Sequence, residues 1–501
     1  MKLTFALFLR ALFLLSVMAF AGIGLGPDEA QYWTWSQKLS LGYYSKPPGI
    51  AWQIWIGTQI FGNTELGVRF FALVLGTLLV YSVYGLGRTC GLSKEKALLC
   101  SLALAFSPLG MMGSFLAITD GGMALCWTLS CWIVADALKK GVTFHYTLLG
   151  LTLLVGALFK WPVYLFWPLL ALSMLYFKQL RSRSVWIGVA LSLLGLIPSF
   201  IWNASHDFVT FRHVLATIVG QKGEVGTTTL ASGNFFSFLG AQTALVFPLF
   251  FVLIGGGIVK IFRQKGDSPA LRFISLQTIG ILSLYLFFST FQKMQGNWCA
   301  FIYPPAFVCL SALSPSLFQK GTRLAIALSL ILMIFAFSIP NLEEKGYGIA
   351  YRLNPFRHNV GWKALNTSLK KSGYDPDKHF LFSDKYQTVS ILSFYGPGQK
   401  RAYFFNLFHL RYNQFSFWPG MEEQQVGKSG YFVATENANT MADQVKEYER
   451  LLSPYFKRVR YLGEFPLFSV QHQPVKTAIV FYTEEYLGGL PSLSPTSPLK
   501  Y

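Results

Sequence analysis

The sequence predicts an α-helical membrane protein with many transmembrane helices and a small α/β domain at its C-terminus. The first observation is composition: the chain of 501 residues is 52% hydrophobic and only 13% charged. A soluble protein carries roughly a quarter charged residues. The second observation is a change after Pro340, where charged and polar residues become dense and no apolar run is long enough to cross a bilayer.

Long apolar segments account for the membrane part. Those that approach or exceed the roughly 18 residues needed to span a bilayer are Leu3 to Leu25, Phe70 to Leu86, Ala97 to Ile118, Val185 to Trp202, Phe235 to Ile261, Phe273 to Phe291 and Leu324 to Ile339. The segment from Leu3 lacks a small-residue cleavage site and runs straight into an acidic motif, so we expect a retained helix. With shorter apolar runs included, the pattern fits about eleven spans.

The formal net charge of +19 is distributed asymmetrically, and this predicts the topology. Most basic residues fall in alternate loops, namely Lys2, Arg10, Arg88, Lys94, Lys96, Lys139, Lys140, Lys178, Arg181, Arg183, Lys260, Arg263, Lys265, Arg272, Lys320 and Arg323. The opposite loops hold only Lys38, Lys46, Lys160, Arg212, Lys222 and Lys293. The positive-inside rule then puts the N-terminus in the cytoplasm and, with an odd number of spans, the C-terminal part outside. Nucleic acid is therefore not an expected partner.

The C-terminal part is predicted to be a separate domain of residues 341–490, following a membrane domain of residues 1–340. Its β-like runs are His379 to Phe382, Ala402 to Phe405, Gly430 to Ala434, Arg458 to Val470 and Ala478 to Tyr482, and its helix-like runs are Lys385 to Phe394 and Met441 to Leu452. This alternation is typical of a small α/β domain. Residues 491–501, rich in Ser, Pro and Leu, are expected to form a disordered tail.

The first outer loop carries the strongest chemical signal. Asp28 and Glu29 directly follow the first apolar segment. Adjacent carboxylates at a membrane boundary cost free energy unless they bind a partner residue or a ligand. A hydroxyl nucleophile needs a carboxylate to take its proton, which Asp28 could supply. Lys46, in a Lys-Pro-Pro turn, is a candidate contact for a leaving phosphate. The alternative is that the acidic pair caps a helix beginning after Pro27, and these residues alone leave both interpretations open.

Other polar residues on the predicted outer side each have a chemical and a plain interpretation. Asp120 is either a second acid or the N-cap of the next apolar helix. Lys160 either contacts an anion or extends to the membrane interface with no further role. His206 and His213 could bind a metal with nearby acids, but no spacing enforces it and an interfacial role is favoured. Tyr44 belongs to a group of aromatic residues that predicts an interfacial belt or a surface for sugars and an isoprenoid tail.

Several motifs in combination resemble those of the lipid-carrier-dependent glycosyltransferases. These motifs are Asp28-Glu29-Ala-Gln-Tyr, Gly42-Tyr-Tyr-Ser-Lys46-Pro-Pro, Thr119-Asp120, Phe159-Lys160-Trp, Pro198-Ser-Phe-Ile-Trp-Asn-Ala-Ser-His206-Asp-Phe-Val-Thr-Phe-Arg212, Gly296-Asn297-Trp298, Ser383-Asp384-Lys-Tyr386 and Phe394-Tyr-Gly-Pro-Gly398. The family comprises bacterial relatives of protein O-mannosyltransferases and of the aminoarabinose and galacturonic acid transferases that modify lipid A. The chain departs from the family pattern at Cys299, where proline is usual.

The resemblance implies a GT-C fold and the transfer of a sugar from a polyprenyl-phosphate donor, in a bacterium undecaprenyl phosphate. The acceptor would be lipid A, a glycan or a protein at the outer face of the inner membrane, where membrane lipids surround the site. The catalytic residues implied are Asp28 as general base, Glu29 and Asp120. The substrate contacts implied are Lys46, Lys160, Arg212, His206, Asn297 and Tyr44. No cofactor is assigned, and the residues leave open whether a divalent metal takes part.

Two other functions remain open from the sequence. A membrane transporter or flippase of lipid-linked saccharides would also have many spans and charged outer residues. Transporters keep ionisable residues near the bilayer midplane and show repeated halves, whereas the predicted spans are nearly free of charge and no repeat is evident. A polymerase or ligase of surface glycans shares the donor chemistry and differs mainly in its acceptor.

Overall fold

The computed structural model describes residues 1–142, 144–219, 233–264, 268–347, 351–436 and 441–491. Within these residues a helical membrane part is followed by a five-stranded sheet with its own helices. Lys222 and Lys265, which the charge pattern assigned to loops, lie outside the described residues. So does the predicted tail from residue 492 onward.

The membrane part contains seventeen α-helices among the described residues. They are α1 (Lys2–Phe20), α2 (Pro27–Ser36), α3 (Gly49–Phe61), α4 (Glu65–Thr89), α5 (Lys94–Phe106), α6 (Pro108–Phe115), α7 (Thr119–Lys140), α8 (Thr147–Ala157), α9 (Phe166–Tyr176), α10 (Val185–Leu193), α11 (Ile197–Ala204), α12 (Val209–Val219), α13 (Phe235–Val246), α14 (Pro248–Arg263), α15 (Pro269–Ser289), α16 (Tyr303–Ala306) and α17 (Thr322–Glu344). Short 3-10 turns lie at Trp161–Leu165, Lys178–Leu180, Leu194–Leu196, Gly296–Ile302 and Phe307–Ala312, and a π-turn at Leu317–Gly321.

Six stretches of the described residues are long and apolar enough to cross a membrane. They are Lys2–Phe20, Glu65–Thr89, Thr119–Lys140, Val185–Ala204, Pro269–Ser289 and Leu317–Glu344. Counting two bent helix pairs as one span each raises the number to eight, and Thr147–Ala157 and Trp161–Tyr176 are apolar but shorter. The chain is a multi-pass membrane protein, as predicted, while the number of about eleven spans stays a prediction.

Proline breaks two of the predicted spans. α5 and α6 meet at 60° before Pro108, and α13 and α14 meet at 95° before Pro248. Proline has no N–H to donate, and its ring clashes with the preceding helical turn. Phe247 accommodates the sharper bend with a φ of 82°. Each of these two apolar segments is therefore a pair of short helices rather than one straight span.

Two arginines lie buried within helices of the membrane part. The charge pattern placed Arg10 in a cytoplasmic loop, which is wrong: Arg10 is buried midway along α1. It donates to the Gly110 carbonyl oxygen at 2.6 Å and to the Ser114 hydroxyl. Arg69 is fully buried in α4. Because a cation at such depth is costly without partners, each arginine binds polar groups of neighbouring segments.

We call residues 351–491 the sheet domain. Its helices are α18 (Trp362–Lys371), α19 (Tyr386–Tyr395), α20 (Met421–Gln424) and α21 (Met441–Leu452), and its strands are β1 (Phe380–Ser383), β2 (Tyr403–Phe404), β3 (Gly430–Glu436), β4 (Phe456–Val470) and β5 (Gln473–Tyr486). Strand order is β2-β1-β3-β5-β4; β1 is parallel to β2 and β3, and β5 is antiparallel to β3 and β4. The predicted C-terminal α/β architecture is confirmed, while the domain boundary at residue 340 stays a prediction.

The sheet domain packs on the membrane part through α19 and α2. The ring of Trp33 in α2 meets the ring of Phe394 in α19 edge to face, with centroids 4.9 Å apart. The Leu25 N–H just before α2 donates to the Tyr395 hydroxyl at 2.6 Å. All four residues are buried. The short helix that carries the acidic pair is therefore held between the two parts of the molecule.

Candidate functional site

Glu29, rather than Asp28, caps the N-terminus of α2. Gly26 is the N-cap residue, and its N–H donates to Glu29 Oε2 at 3.0 Å. This is half of a capping box, in which the third helical residue satisfies the N–H of the cap. The capping interpretation of the acidic pair therefore applies to Glu29.

Glu29 also belongs to a buried ion pair with Arg69. Arg69 Nε donates to Glu29 Oε1 at 2.8 Å, and Arg69 Nη2 donates to Oε2 at 2.7 Å. The Ala117 N–H, three residues before Asp120, donates to Oε1 at 3.0 Å. One carboxylate thus joins the N-terminus of α2 to the chain entering α7. Every oxygen of Glu29 is used by the fold.

Asp28, by contrast, has no task in the fold. Its carboxylate forms no hydrogen bond or ion pair with the described residues and is exposed. Solvent therefore reaches the side chain, but the protein around it disfavours the charged form and so raises the pKa of Asp28. The positive charges of Lys46 and Arg411 act in the opposite direction, while the charges of Glu29 and Asp120 add to the rise in pKa. An unpaired carboxylate with a raised pKa is suited to accept a proton.

Lys46 lies in the turn between α2 and α3. The turn is closed by the Tyr43 N–H, which donates to the Lys46 carbonyl oxygen at 3.2 Å. The Lys46 ammonium forms no ion pair with the described residues. Burial lowers the pKa of Lys46 to about 8; the nearby charge of Lys160 acts in the same direction, and those of Asp120 and Asp28 oppose it. Lys46 is therefore a cation without a counter-ion beside Asp28.

Asp120, Lys160 and Asn297 form a second polar cluster. Lys160 Nζ donates to Asp120 Oδ1 at 2.8 Å, and Asn297 Nδ2 donates to Asp120 Oδ2 at 3.4 Å. The N-cap of α7 is Ile118, so Asp120 is not the cap, and Lys160 is buried rather than extended to an interface. Since Asp120 and Lys160 also act on the pKa of Lys46, this cluster adjoins the turn.

Gln242 holds the segment that carries Asn297. Its Nε2 donates to the Gly296 carbonyl oxygen at 2.9 Å. Its Oε1 accepts from the Tyr303 hydroxyl at 3.1 Å and from the Cys299 thiol at 3.2 Å. Cys299, where the family pattern has proline, thus contributes a donor that proline could not supply. The segment is therefore anchored although Cys299 departs from the family pattern.

The loop of His206 packs against the first loop and uses the imidazole internally. The His206 ring stacks on Trp202 with centroids 4.0 Å apart, and His206 Nδ1 is hydrogen-bonded to the Trp202 carbonyl oxygen at 2.7 Å. The Thr210 hydroxyl donates to the Tyr43 carbonyl oxygen at 3.1 Å. Arg212 follows on α12 with its side chain exposed. The structure therefore gives His206 a packing role and leaves Arg212 at the surface of the same loop.

Tyr44 is contacted by the sheet domain. Its N–H donates to Gln414 Oε1 at 2.7 Å, and its ring lies 5.8 Å from that of Phe417 and 4.9 Å from that of His213. The side chain is buried, so the ring has no open face for a sugar. Burial raises the pKa of its enclosed hydroxyl, while the charge of Arg411 and a hydrogen bond with that side chain lower it, and no acceptor for the hydroxyl proton lies among the described residues. The hydroxyl proton is therefore the group that remains for a ligand.

Two arginines of the site were missed by the sequence analysis. Arg69 carries a signal that was overlooked, because an arginine inside an apolar run predicts a buried acidic partner, here Glu29. Arg411 of the sheet domain belongs to no recognised motif, so no sequence signal pointed to it. It is close enough that its charge lowers the pKa of both Asp28 and Lys46.

The described residues contain no group of three or more His, Cys, Asp or Glu side chains placed to hold a metal ion. Two carboxylates, Asp28 and Asp120, do interact through their charges. Asp120 is already hydrogen-bonded to Lys160 and Asn297. We therefore assign no metal ligand.

Sequence comparison relates the chain to glycosyltransferases. A family model described as dolichyl-phosphate-mannose-protein mannosyltransferase matches residues 45–202. The lipid A galacturonosyltransferase RgtD of Rhizobium johnstonii is 27% identical over 322 residues, which cover 60% of this chain and 63% of that protein. The undecaprenyl phosphate-alpha-4-amino-4-deoxy-L-arabinose arabinosyl transferase of Pseudomonas paraeruginosa is 28% identical over 217 residues, 40% of each chain. Each match spans less than two thirds of the relative's own length.

Comparison with solved structures identifies the fold. ArnT from Cupriavidus metallidurans in the apo state has a TM-score of 0.59 at 15% identity, with 98% of this chain and 100% of that chain covered. The same protein bound to undecaprenyl phosphate gives a TM-score of 0.58 at 15% identity, with coverages of 97% and 99%. The predicted GT-C fold is thereby confirmed. The alternative of a transporter or flippase gains no support from these matches.

Proposed function

We propose that this chain, a relative of the lipid-carrier-dependent glycosyltransferases with the GT-C fold, transfers a sugar from a polyprenyl-phosphate donor to an acceptor. The observation that carries the proposal is that Asp28 and Lys46 lie close enough for each charge to shift the pKa of the other group. The Asp28 carboxylate and the Lys46 ammonium have no ion-pair partner among the described residues. Their charges interact, and both groups lie beside the junction with the sheet domain. In transfer from a lipid phosphate, a carboxylate can accept the proton of the acceptor and an ammonium can stabilise the leaving phosphate.

The substrates follow from the relatives and the chemistry of the site. The named relatives act on lipid A or use an undecaprenyl-phosphate-linked sugar, and the solved relative binds undecaprenyl phosphate. We therefore propose undecaprenyl phosphate as the carrier and lipid A, a glycan or a protein as the acceptor. The reaction would take place at the periplasmic face of a bacterial inner membrane, with the N-terminus in the cytoplasm.

The proposed reaction is a displacement at the anomeric carbon of the donor sugar. The acceptor hydroxyl forms a bond to this carbon while its proton moves to the Asp28 carboxylate. The bond from the carbon to the phosphate oxygen breaks, and the electron pair leaves with the carrier phosphate. Lys46 stabilises the charge that develops on that oxygen. The raised pKa of Asp28 makes it a better proton acceptor, because a general base is most effective when its pKa lies near the working pH.

The remaining residues of the site are proposed to position these two. Glu29 and Asp120 were expected to be catalytic, yet all of their carboxylate oxygens are engaged by the fold. We propose that Glu29 orients the first turn of α2 and that Asp120 holds Lys160 beside Lys46. Asn297 would fix Asp120 in turn.

The other predicted substrate contacts remain part of the proposal. Tyr44 would contact the donor through its hydroxyl, since its ring is buried. Arg212 is exposed and would meet a substrate at the mouth of the site. His206 would support the loop of Arg212 through its stacking on Trp202.

Sugar transfer by the purified full chain tests the proposal. The protein in lipid nanodiscs would be incubated with a panel of undecaprenyl-phosphate sugars and with lipid A and glycans extracted from a deletion strain as acceptors, and lipid A and glycans of that strain would be compared by mass spectrometry with those of the parent. We expect one donor to be consumed and one glycan or lipid A species to lose a sugar in the deletion strain. An unchanged glycome together with no donor consumption by a well-folded preparation would contradict the proposal.

A further inference from the structure

We infer that Arg411 of the sheet domain is a second cation of the carrier-phosphate site and acts together with Lys46. The inference rests on the proposed function, since it names a further residue for the same reaction. It assigns the sheet domain a direct part in binding the donor. No sequence motif indicated such a part.

Contacts with the sheet domain and the first loop place Arg411 beside the site. Arg411 Nη2 donates to the Tyr386 hydroxyl at 3.3 Å, and the guanidinium lies 5.6 Å from the centre of the Tyr386 ring. Tyr386 begins α19, which packs against the helix of Asp28. Burial raises the pKa of Tyr386, the charge of Arg411 lowers it, and the charge of Asp28 raises it further. The guanidinium therefore lies near enough to the Asp28 carboxylate for their charges to interact.

The segment that carries Arg411 is anchored to the membrane part. Gln414 accepts the Tyr44 N–H, and Phe417 packs on Tyr44 and on Trp202, with the latter ring centroids 6.3 Å apart. Asn413 is buried and caps the short turn Gln414–Phe417 by accepting the Phe415 N–H at 2.9 Å. The backbone just after Arg411 is thus fixed against the first loop, so its side chain emerges at a defined place.

A buried hydroxyl whose proton has no acceptor lies next to this arginine. Burial raises the pKa of the Tyr44 hydroxyl, the charge of Arg411 and a hydrogen bond with its side chain lower it, and no acceptor for the hydroxyl proton lies among the described residues. Buried hydroxyls are normally hydrogen-bonded, and an exception calls for an absent partner. A phosphate oxygen held by Arg411 would supply an acceptor for this hydroxyl.

The balance of charges in the site leaves Arg411 available for an anion. Glu29 is neutralised by Arg69, and Asp120 is neutralised by Lys160. Asp28, Lys46 and Arg411 remain without an ion pair among the described residues. Their sum is one positive charge, which matches the single negative charge of a donor phosphodiester.

During the proposed reaction, the positive charges of Lys46 and Arg411 together balance the negative charge that develops on the carrier phosphate. As the acceptor hydroxyl attacks the anomeric carbon, its proton neutralises the Asp28 carboxylate. The carbon–oxygen bond to the carrier breaks, and the phosphodiester with one negative charge becomes a phosphate monoester with two. Lys46 and Arg411 together then match the two charges of the leaving group.

The two cations are not equivalent. Burial lowers the pKa of Lys46 to about 8, so its charge diminishes in mildly alkaline solution. An arginine guanidinium remains charged throughout this range and can donate two parallel hydrogen bonds to a phosphate. Arg411 therefore supplies the charge that does not titrate.

Binding of undecaprenyl phosphate to the purified full chain tests the inference directly. The variants are Arg411→Gln, Arg411→Lys and the control Arg460→Gln. Arg460 is also exposed in the sheet domain and lies over the ring of Tyr482 at the same distance of 5.6 Å, so it matches the contact but lies on β4. Undecaprenol, which has the same tail without the phosphate, serves as the second probe.

We expect Arg411→Gln to weaken undecaprenyl phosphate binding about tenfold or more, as for other charge-assisted hydrogen bonds. Binding of undecaprenol should be unchanged, since a merely structural role would affect both lipids alike. Arg411→Lys should recover part of the affinity, and Arg460→Gln should bind as the wild-type chain does. Donor turnover should fall in parallel with phosphate binding.

Wild-type affinity of Arg411→Gln for undecaprenyl phosphate would overturn the inference, and so would an equal loss for undecaprenol. These outcomes are distinct from failure of the proposed function. If the wild-type chain transfers sugar and Arg411→Gln does so equally well, the inference alone fails. If the wild-type chain neither binds the carrier phosphate nor consumes any donor, both fail.

Discussion

Arg69 and Glu29 form an ion pair that is buried on both sides, with Arg69 Nη2 at 2.7 Å from Glu29 Oε2. The guanidinium also donates to the carbonyl oxygens of Ile23 at 3.0 Å and Gly24 at 2.7 Å. It therefore binds both the chain that leaves α1 and the carboxylate that caps α2. Through the Ala117 N–H the same carboxylate reaches the chain before Asp120. One ion pair thus connects the chain just before Asp28 with the chain just before Asp120.

Glu29→Gln is expected to destabilise the protein and lower its activity. The substitution leaves the Arg69 guanidinium buried without a counter-ion, a change that typically costs about 3–5 kcal/mol. Thermal unfolding in nanodiscs measures this as a lower Tm. The double variant Glu29→Gln/Arg69→Gln removes both charges and should regain part of the lost Tm. An unchanged Tm in the single variant would refute the positioning role.

Asp28→Asn is expected to abolish most transfer without affecting folding. Asparagine has nearly the same size but cannot accept a proton at neutral pH, and a general base contributes about 10²–10⁴-fold in rate. Because the Asp28 side chain binds nothing in the described structure, Tm should stay at the wild-type value. Transfer rates at saturating donor provide the measurement. A well-expressed Asn variant with near-normal turnover would remove Asp28 from the mechanism.

The pH dependence of kcat/KM for the donor should have two limbs set by Asp28 and Lys46. Asp28 must be ionised to act as a base, and its pKa is raised, so activity should fall on acidification at a pH above the ordinary aspartate range. Lys46 must be protonated to bind phosphate, and its pKa is lowered to about 8, so activity should fall as pH rises through about 8. Lys46→Arg should move the alkaline limb upward. An alkaline limb that stays in place in this variant would contradict the assignment to Lys46.

Asp120→Asn is expected to shift the same alkaline limb to lower pH. The charge of Asp120 raises the pKa of Lys46, while that of Lys160 lowers it. Removing the carboxylate leaves Lys160 without its counter-ion and takes away a stabilising charge from Lys46. Profiles of kcat/KM against pH for the variant and the wild-type chain make the comparison. A limb that moves upward would show that Asp120 acts elsewhere.

The proposed topology is tested by reporter fusions. A periplasmic reporter such as alkaline phosphatase should be active when fused after Asn341 and inactive when fused at Ser93. A cytoplasmic fluorescent reporter should give the reverse pattern. Activity of the periplasmic reporter at Ser93 would place the acidic motif on the cytoplasmic side and would contradict the proposed mechanism.

Much of the fold could be predicted because it is encoded in local composition. Apolar length indicates membrane helices whatever their packing, and alternating β-like runs indicated all five strands of the sheet domain. The two bends before Pro108 and Pro248 were missed, although proline supplies a signal for both. The depth of Arg10 was also missed, since a single arginine near the N-terminus resembles a loop charge until its partners on α6 are known.

The site residues that lie in motifs could be predicted from the sequence. Those that are placed by packing between distant parts of the chain could not. Asp28, Lys46, Asp120, Lys160 and Asn297 all lie in recognisable motifs, and the structure brings them into one electrostatic cluster. Which acid is free and which is engaged depends on partners far along the chain. Arg411 owes its place to the packing of Gln414 on the first loop, which no local pattern encodes.

The hydrogen bond between Tyr44 and Gln414 joins residues 370 positions apart. At synthesis rates of about 5–20 residues per second, the first loop leaves the ribosome roughly 20 to 70 seconds before this partner exists. During that interval Asp28 and Lys46 stand in a loop that still lacks its final support. Under the proposed function, an unfinished or truncated chain holds no complete donor site. If the proposed function holds, the order of synthesis would therefore keep nascent copies from drawing on the cell's pool of lipid-linked sugar.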